Sequence, residues 1–314
     1  MGAVYRAFDE TLHRHVAIKR LLPTLVDAAR ALRFRREARM AARLNHPAIV
    51  HIYEIVESPD GDWIVMELVE GKTVDRLMRE GRIDLARAVR LAREVAEGLA
   101  EAHGQGIVHR DLKAANVMVT ESGRVKILDF GLAKTYQGDI DQEISTPGTV
   151  VGTCHAMSPE QAQGLTVDHR SDLFSLGSLL YEMMTGFSPF HAATPTETLA
   201  RICAYEPERV HLVEPGVPAE LSALTHRLLE KSAARRPQSG ADVAAELERI
   251  EREGAIERSS RRAPAAVTEV HTRVDRRSSR SGRTSPPPLT SVERRQLTVL
   301  CCELADVERP DVEA

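Results

Sequence analysis

Four short segments of the sequence combine cationic, carboxylate and amide side chains in a fixed order. Residues 16–19 (VAIK) lie in a predicted strand, and Glu37 lies on the predicted helix that follows. Residues 109–116 (HRDLKAAN) and 129–131 (DFG) come next. A lysine can neutralise an anion as a point charge, and carboxylate and amide oxygens are hard ligands that suit Mg²⁺. Each segment alone is a weak signal, but the four together are a strong one.

These segments resemble the signature set of protein kinases, namely VAIK, a glutamate on the next helix, HRDLxxxN and DFG. Downstream, residues 158–160 (SPE) resemble the APE motif of that family. Asp172, Gly177 and Arg236 fall where protein kinases carry anchoring residues. The resemblance covers about residues 1–252, and the wording MSPEQ and LNHPAIV is similar to bacterial Hanks-type serine/threonine kinases.

The resemblance implies a role for each polar residue of the signature set. Lys19 would hold the α- and β-phosphates of ATP, and Glu37 would orient Lys19 through an ion pair. Asp111 would accept the proton of the substrate hydroxyl, and Lys113 would steady the γ-phosphate. Asn116 and Asp129 would hold Mg²⁺.

The resemblance also implies a nucleotide site. Ala17 and Met118 would sandwich the adenine, and Met66 would be the gatekeeper. Backbone groups of Glu67 and Val69 would bond the edge of the base. Gly2 and Val4 match the last glycine and the valine of the Gly-rich phosphate loop.

Structural roles compete with these functional ones for single residues. Lys19 could be a strand lysine that extends to solvent, and Glu37 could form ordinary i,i+4 pairs on an Arg-rich helix. His109 is expected to be structural and to pack under Phe130. The set of Asp111, Asn116 and Asp129 is the one for which we favour chemistry over structure.

The hydrophobic pattern agrees with a bilobal α+β fold. A hairpin is predicted from runs at 4–8 and 16–21, a helix at 28–44, and two more strands at 49–56 and 63–68. From residue 84 the apolar residues recur with a helical period. Further helices are predicted at 171–186, 196–204, 219–230 and 240–253. The fold predicted is a small β-rich N-lobe (1–70) that lacks its first strand and a larger α-helical C-lobe (71–252).

Composition narrows the function classes. The 314 residues carry a net charge of −4 and only 4% aromatic residues, so we expect no nucleic-acid partner. No apolar run is long enough for a membrane span. The four cysteines lack metal-ligand or disulfide spacing, which predicts reduced thiols and a cytoplasmic protein.

Both ends of the sequence depart from a complete kinase. The first two glycines of the Gly-rich loop and the strand before it are absent, so the chain as written is expected to be a weak or inactive kinase. Residues 253–292 are expected to be a basic Ser/Pro/Arg-rich linker, either a solvated spacer or a basic docking patch. Residues 293–314 resemble the opening strand of class III nucleotide cyclases, although a coincidental strand is nearly as good an interpretation.

The activation segment suggests regulation. Arg110, next to Asp111, resembles the arginine of kinases whose activation loop is ordered by phosphorylation. Thr146 and Thr149 are the candidate sites of self-phosphorylation, while turn capping by these hydroxyls is the competing interpretation. Cys154 and Ala156 stand where the family usually has proline and tyrosine, which leaves the substrate preference open.

Three functions follow as hypotheses. The first is an ATP- and Mg²⁺-dependent serine/threonine kinase that acts on protein substrates. The second is a non-catalytic kinase-fold scaffold, and the third is a signalling protein whose kinase part is fused to a cyclase.

Overall fold

The computed structural model describes residues 4–20, 28–56, 62–130 and 156–253, with side chains described from residue 35 onward in the second range. Gly2, Thr146, Thr149, Cys154 and residues 254–314, on which several predictions fall, lie outside the described residues.

The first part of the chain forms an antiparallel sheet. Its strands are β1 (Val4–Asp9), β2 (Arg14–Arg20), β3 (Ile52–Val56) and β4 (Trp63–Glu67), in the order β1-β2-β4-β3. The predicted hairpin of β1 and β2 is present. Its turn is closed by the carboxylate of Asp9, which accepts N–H bonds from Thr11 and Leu12 at 3.1 Å each.

One helix packs on this sheet. Helix α1 (Ala28–Ala41) buries Ala38 and Ala41, and it ends before the proline at position 47, as the sequence predicts. Arg35 on α1 forms two hydrogen bonds with Asp62, from Nε at 2.7 Å and from Nη2 at 2.9 Å. This bidentate pair ties α1 to the start of β4.

The larger part is helical, in agreement with the prediction. Its helices, in chain order, are α2 (Val74–Glu80), α3 (Leu85–Gly104), α4 (Pro159–Ala162), α5 (His169–Thr185), α6 (Pro195–Ala204), α7 (Val210–Val213), α8 (Ala219–Leu228) and α9 (Gly240–Arg252).

Several of these helices begin at side-chain caps. Asp84 Oδ1 accepts the N–H of Arg87 at 2.9 Å at the start of α3, and Ser158 forms a reciprocal capping box with Gln161 at α4. Such caps satisfy donors that the first turn of a helix leaves open.

The sequence pattern did not predict a second, three-stranded sheet. It consists of β5 (Gly71–Thr73), β6 (Val117–Thr120) and β7 (Val125–Ile127), in that order. Strands of three or four residues are too short to show the alternation by which strands are recognised. Along the chain, β6 begins directly after the HRD segment and β7 ends shortly before the DFG segment.

Helix α3 is the centre of the helical part. The predicted apolar face of α3 is buried from Ala88 to Leu99, while Leu85 is half-buried. Leu91 and Gly98 are buried as well, because α3 is covered by α5, α9 and β7 on different sides. Among the described helices, none has the length and apolar character needed to cross a bilayer.

Glycine allows α9 to approach α3 closely. A Cβ built on Gly240, the first residue of α9, would stand 2.6 Å from the carbonyl oxygen of Ala96 and 2.9 Å from the N of Ala100. Both contacts are with the backbone of a buried helix, so they cannot be relieved by a rotamer change.

We therefore expect Gly240→Ala to lower the free energy of unfolding by about 1–3 kcal/mol, because α9 must move away from α3. The measurement is urea unfolding followed by circular dichroism. Gly104→Ala, at the end of α3 where a Cβ would meet nothing within 4 Å, is the matched control and should be neutral or stabilising. Equal stability of the two variants would contradict the close-approach argument.

Candidate active site

The HRD segment places two polar side chains, those of Lys113 and Asn116, against the carboxylate of Asp111. Asp111 is only 8% exposed. Its Oδ2 accepts hydrogen bonds from Lys113 Nζ at 2.8 Å and from Asn116 Nδ2 at 3.1 Å. Asn116 Nδ2 also donates to the backbone oxygen of Asp111 at 2.8 Å. The carboxylate is thus fixed in direction and stays next to a cation.

Strand β2 brings Lys19 to the DFG segment. Lys19 Nζ lies 2.7 Å from Asp129 Oδ1, and both side chains are largely buried, with 13% and 15% exposed. Asp129 has a left-handed backbone with φ of 59°, which an aspartate adopts more readily than most residues. The N–H of Leu128 donates to the backbone oxygen of Asn116 at 2.9 Å, so the HRD and DFG segments are tied together.

Glu37 faces the HRD segment from α1. Its Oε1 lies 4.0 Å from Arg110 Nη1, whereas the ion pair of Lys19 in this structure is formed with Asp129. The predicted pairing of Lys19 with Glu37 stays a prediction. Residues 35 and 37 point to different sides of α1, so the tie to Asp62 and the contact with Arg110 hold the helix from two directions.

A buried aspartate of α5 holds the HRD backbone. Asp172 is 1% exposed. Its carboxylate accepts the N–H of His109 at 2.7 Å and that of Arg110 at 2.8 Å. Arg110 has φ of 65°, an unusual conformation that a surrounding structure must impose.

The imidazole of His109 extends the same support to the DFG segment. His109 Nε2 lies 2.8 Å from the backbone oxygen of Leu128. The ring packs edge-on against Phe130 at 4.8 Å between centroids, which is the structural role predicted for this histidine. Asp172, His109 and Leu128 therefore form a chain of contacts that ends next to Asp129.

The SPE segment is anchored by a buried ion pair. Arg236, whose side chain is fully buried, donates to Glu160 from Nη1 at 2.7 Å and from Nη2 at 2.8 Å. Burial alone would raise the pKa of the Glu160 carboxyl, but hydrogen bonds from Arg236 and Ser171 outweigh burial and hold the pKa below its ordinary value. Gln161 Nε2 donates to the backbone oxygen of Arg110 at 2.7 Å, which brings this segment against the HRD loop.

The residues predicted to enclose the adenine come from both parts of the fold. Ala17 pairs with Met66 across β2 and β4. Ala17, Met66 and Met118 are 5%, 9% and 4% exposed. The Glu67 side chain binds Lys126 Nζ at 2.8 Å, and Val69 is half-buried in the connection to β5. Val4 of β1 is paired with Lys19, while Gly2 lies outside the described residues.

The donor set near Asp129 fits a hard divalent cation. Asn116 uses its amide N–H groups on Asp111, so its Oδ1 is oriented as an acceptor, and Asp129 adds a carboxylate. No cluster of three or more His, Cys, Asp or Glu side chains suited to a metal occurs among the described residues. Two oxygen ligands suit Mg²⁺, which usually completes its shell with water and substrate phosphates.

Three supporting contacts were missed by the sequence analysis. His103 Nε2 lies 2.8 Å from Asp172 Oδ2, Gln161 supports Arg110, and Asp62 holds Arg35. Each joins residues at least 27 positions apart, and no local motif signals such pairs.

Comparison with known proteins agrees with the resemblance found in the sequence. The protein kinase domain family matches residues 1–246. The serine/threonine-protein kinase PknB of Mycobacterium tuberculosis H37Rv is 37% identical over 303 residues, which is 95% of this chain and 47% of that protein. Pkn2 of Myxococcus xanthus is 41% identical over 250 residues, 78% of this chain and 30% of that protein. The chain thus spans less than half the length of these relatives.

A solved structure supports the fold. The kinase domain of Mycobacterium tuberculosis PknI, solved as a cysteine-to-alanine mutant, aligns with a TM-score of 0.62 and 26% identity, over 83% of this chain and 91% of that one. The predicted bilobal α+β fold, with a β-rich first part and a helical second part, is confirmed.

The pair of Glu160 and Arg236 predicts an acid-sensitive stability. The pKa of Glu160 is lowered by folding, so the stabilisation is present above its ordinary value of 4.5 and is lost as pH falls through the folded pKa. We expect Glu160→Gln to cost about 3–5 kcal/mol near neutral pH, because it leaves Arg236 buried without its carboxylate.

The double variant Glu160→Gln/Arg236→Met tests the pH effect. Its free energy of unfolding should fall less steeply below the ordinary glutamate pKa of 4.5 than that of the wild type, as measured by urea unfolding between roughly pH 3 and 7, the range in which carboxyls titrate. Glu220→Gln, an exposed carboxyl on α8, is the matched control. A wild-type slope in the double variant would show that another carboxyl causes the acid sensitivity.

Proposed function

Because the chain belongs to the protein kinase domain family, we propose that it transfers the γ-phosphoryl group of ATP to serine or threonine hydroxyls of proteins. The observation that carries this proposal is the arrangement around Asp111, where Lys113 and Asn116 orient one buried carboxylate beside the Lys19–Asp129 pair. The relatives named serine/threonine-protein kinase support the same activity.

Asp111 would act on the substrate hydroxyl. A carboxylate at this place accepts the proton of the attacking oxygen and aligns that oxygen with the γ-phosphorus. Asn116 prevents rotation of Asp111, because it bonds both the carboxylate and the backbone oxygen of that residue. Lys113, which is bonded to Asp111 in this structure, would steady the γ-phosphate by neutralising its charge.

The family uses ATP with a divalent metal, and we propose Mg²⁺ as that metal. Asn116 and Asp129 would hold the ion, which supplies charge neutralisation to the phosphates when bound. Lys19 would bind the α- and β-phosphates, and Glu37 would orient it. Ala17, Met66 and Met118 would enclose the adenine, with backbone groups of Glu67 and Val69 at its edge, and Gly2 and Val4 would belong to the phosphate loop.

The cellular location and the domain organisation are also proposed from the sequence. The spacing of the cysteines favours a cytoplasmic location. We propose residues 1–252 as the kinase domain and 253–292 as a linker, and 293–314 as a fragment similar to the start of a cyclase domain.

Replacement of the proposed proton acceptor gives the main test. Asp111→Asn should lower Mg²⁺-dependent incorporation of labelled phosphate from ATP at least about 100-fold, because the amide cannot take the proton. ATP binding, measured by calorimetry, should stay within about threefold of the wild type. Asp242→Asn, on the exposed first turn of α9, is the matched control.

Two outcomes would count against the kinase proposal. Equal incorporation by wild type and Asp111→Asn would contradict the role of Asp111. ATP binding by the wild type with no phosphate incorporation would favour the alternative of a kinase-fold scaffold.

Regulation by the activation segment is a further part of the proposal. Arg110 has its Nε buried without a hydrogen-bond partner in the described part of the chain, so a phosphate on the segment would find a donor there. After incubation with ATP, mass spectrometry should find phosphate on Thr146 or Thr149, and the double variant Thr146→Ala/Thr149→Ala should be several-fold less active. Phosphate confined to other residues would contradict these assignments.

A further inference from the structure

A groove between α3 and α9 is separate from the nucleotide site. It is a shallow, open groove of about 470 Å³, and its floor is formed by Ala100 of α3 and by Ala241, Ala244 and Ala245 of α9. Larger residues of α9, such as Val243 and Leu247, are buried towards the protein interior. Because the side chains that α3 and α9 contribute to the floor are methyl groups, the floor is apolar and stays uncovered beside the close approach of the two helices at Gly240.

The walls of this α3–α9 groove are acidic. Glu97 and Glu101 come from α3 and Glu248 from α9. His46 also lines the groove, and no lysine or arginine of the described residues does. Glu97 is paired with Arg93 at 2.7 Å and Glu248 with Arg252 at 3.7 Å, but the two carboxylates keep 39% and 53% exposure. Glu101 accepts a hydrogen bond from Gln105 at 2.7 Å, and a neutral amide leaves the carboxylate charge in place.

The chain itself supplies a segment of complementary chemistry. Directly after α9, residues 254–283 contain eight arginines against three acidic residues. The first basic cluster is formed by Arg258, Arg261 and Arg262, and it is flanked by the apolar residues Ile256 and 263–267 (APAAV). Small apolar side chains suit a floor of alanines, and arginines suit walls of glutamates.

We propose that residues 256–267 turn back along α9 and dock in the α3–α9 groove, with their arginines against Glu97, Glu101 and Glu248. This contact is independent of the proposed phosphoryl transfer. It would make the basic segment an intramolecular ligand of the helical part and would cover the alanine floor.

The tether is long enough for this contact. The groove residues of α9 from Ala241 to Glu248 span about 10 Å of helix. Arg258 to Arg262 follow Arg252 by six to ten residues, which is up to about 20–35 Å of extended chain. The segment is also covalently attached, so its effective concentration at the groove is on the order of millimolar. Surface ion pairs that are weak individually can then hold it in place.

Photo-crosslinking in the full chain tests the proposal. A benzophenone amino acid in place of Ala245 should crosslink within one molecule to the tryptic peptides of residues 256–267, identified by mass spectrometry. The same amino acid in place of Leu165, which is 54% exposed and does not line the groove, should not. The yield at Ala245 should fall several-fold between about 0.05 and 1 M salt, because screening weakens the ion pairs.

Charge exchange decides whether the groove recognises the segment. The variant Arg258→Glu/Arg261→Glu/Arg262→Glu leaves the described residues untouched and should lower the crosslink yield at least about fivefold. Glu101→Lys/Glu248→Lys should do the same, and the two sets combined should restore the yield, since the charges are then reversed on both sides. Thermal unfolding of each variant checks that the fold is retained.

Three results would overturn the proposal. They are a yield unchanged by either charge variant, a crosslink to another part of the chain, and a crosslink between two molecules. The last would assign the groove to a second copy of the chain.

Discussion

The acceptance of two backbone N–H groups by the Asp172 carboxylate is the contact on which the candidate site depends. A buried carboxylate is costly unless its oxygens are bonded, and this one is bonded by His109, Arg110 and His103. The carboxylate in turn stabilises the backbone, because its bond with the N–H of Arg110 holds that residue in a left-handed conformation that is otherwise unfavourable. The direction of Asp111, one residue on, follows from that conformation.

The charged side chains of the site form two separate ion pairs. Lys19 lies on Asp129 and Lys113 lies on Asp111, so each buried carboxylate has its own ammonium. Such pairs contribute little net stability, because desolvation offsets their attraction. They keep four ionic groups in place at a boundary between two parts of the fold, so the proposed phosphates and cation would meet partners that are already desolvated and oriented.

Sequence reasoning located the elements and residues that have local signatures. The period of α3, the hairpin of β1 and β2 and the HRD and DFG segments are all visible in short windows. The contacts of Asp62 with Arg35 and of His103 with Asp172 have no local signature, because they depend on distance in the fold and not on distance along the chain. Strands β5–β7 were missed because three or four residues cannot show a period. The contact of Lys19 with Asp129 was not foreseen because motif matching assigns roles rather than distances.

The anchor of the HRD loop also has a consequence for synthesis. Asp172 follows His109 by 63 residues, so at about 5–20 residues per second a ribosome needs roughly 3–13 s to deliver it after the loop. During that interval the loop has its lysine and its carboxylate but not the acceptor for its backbone N–H groups. A nascent chain would therefore carry the polar residues of the site in unordered form until α5 has emerged and packed on α3, and maturation of the site would be gated by translation of the second half of the helical part.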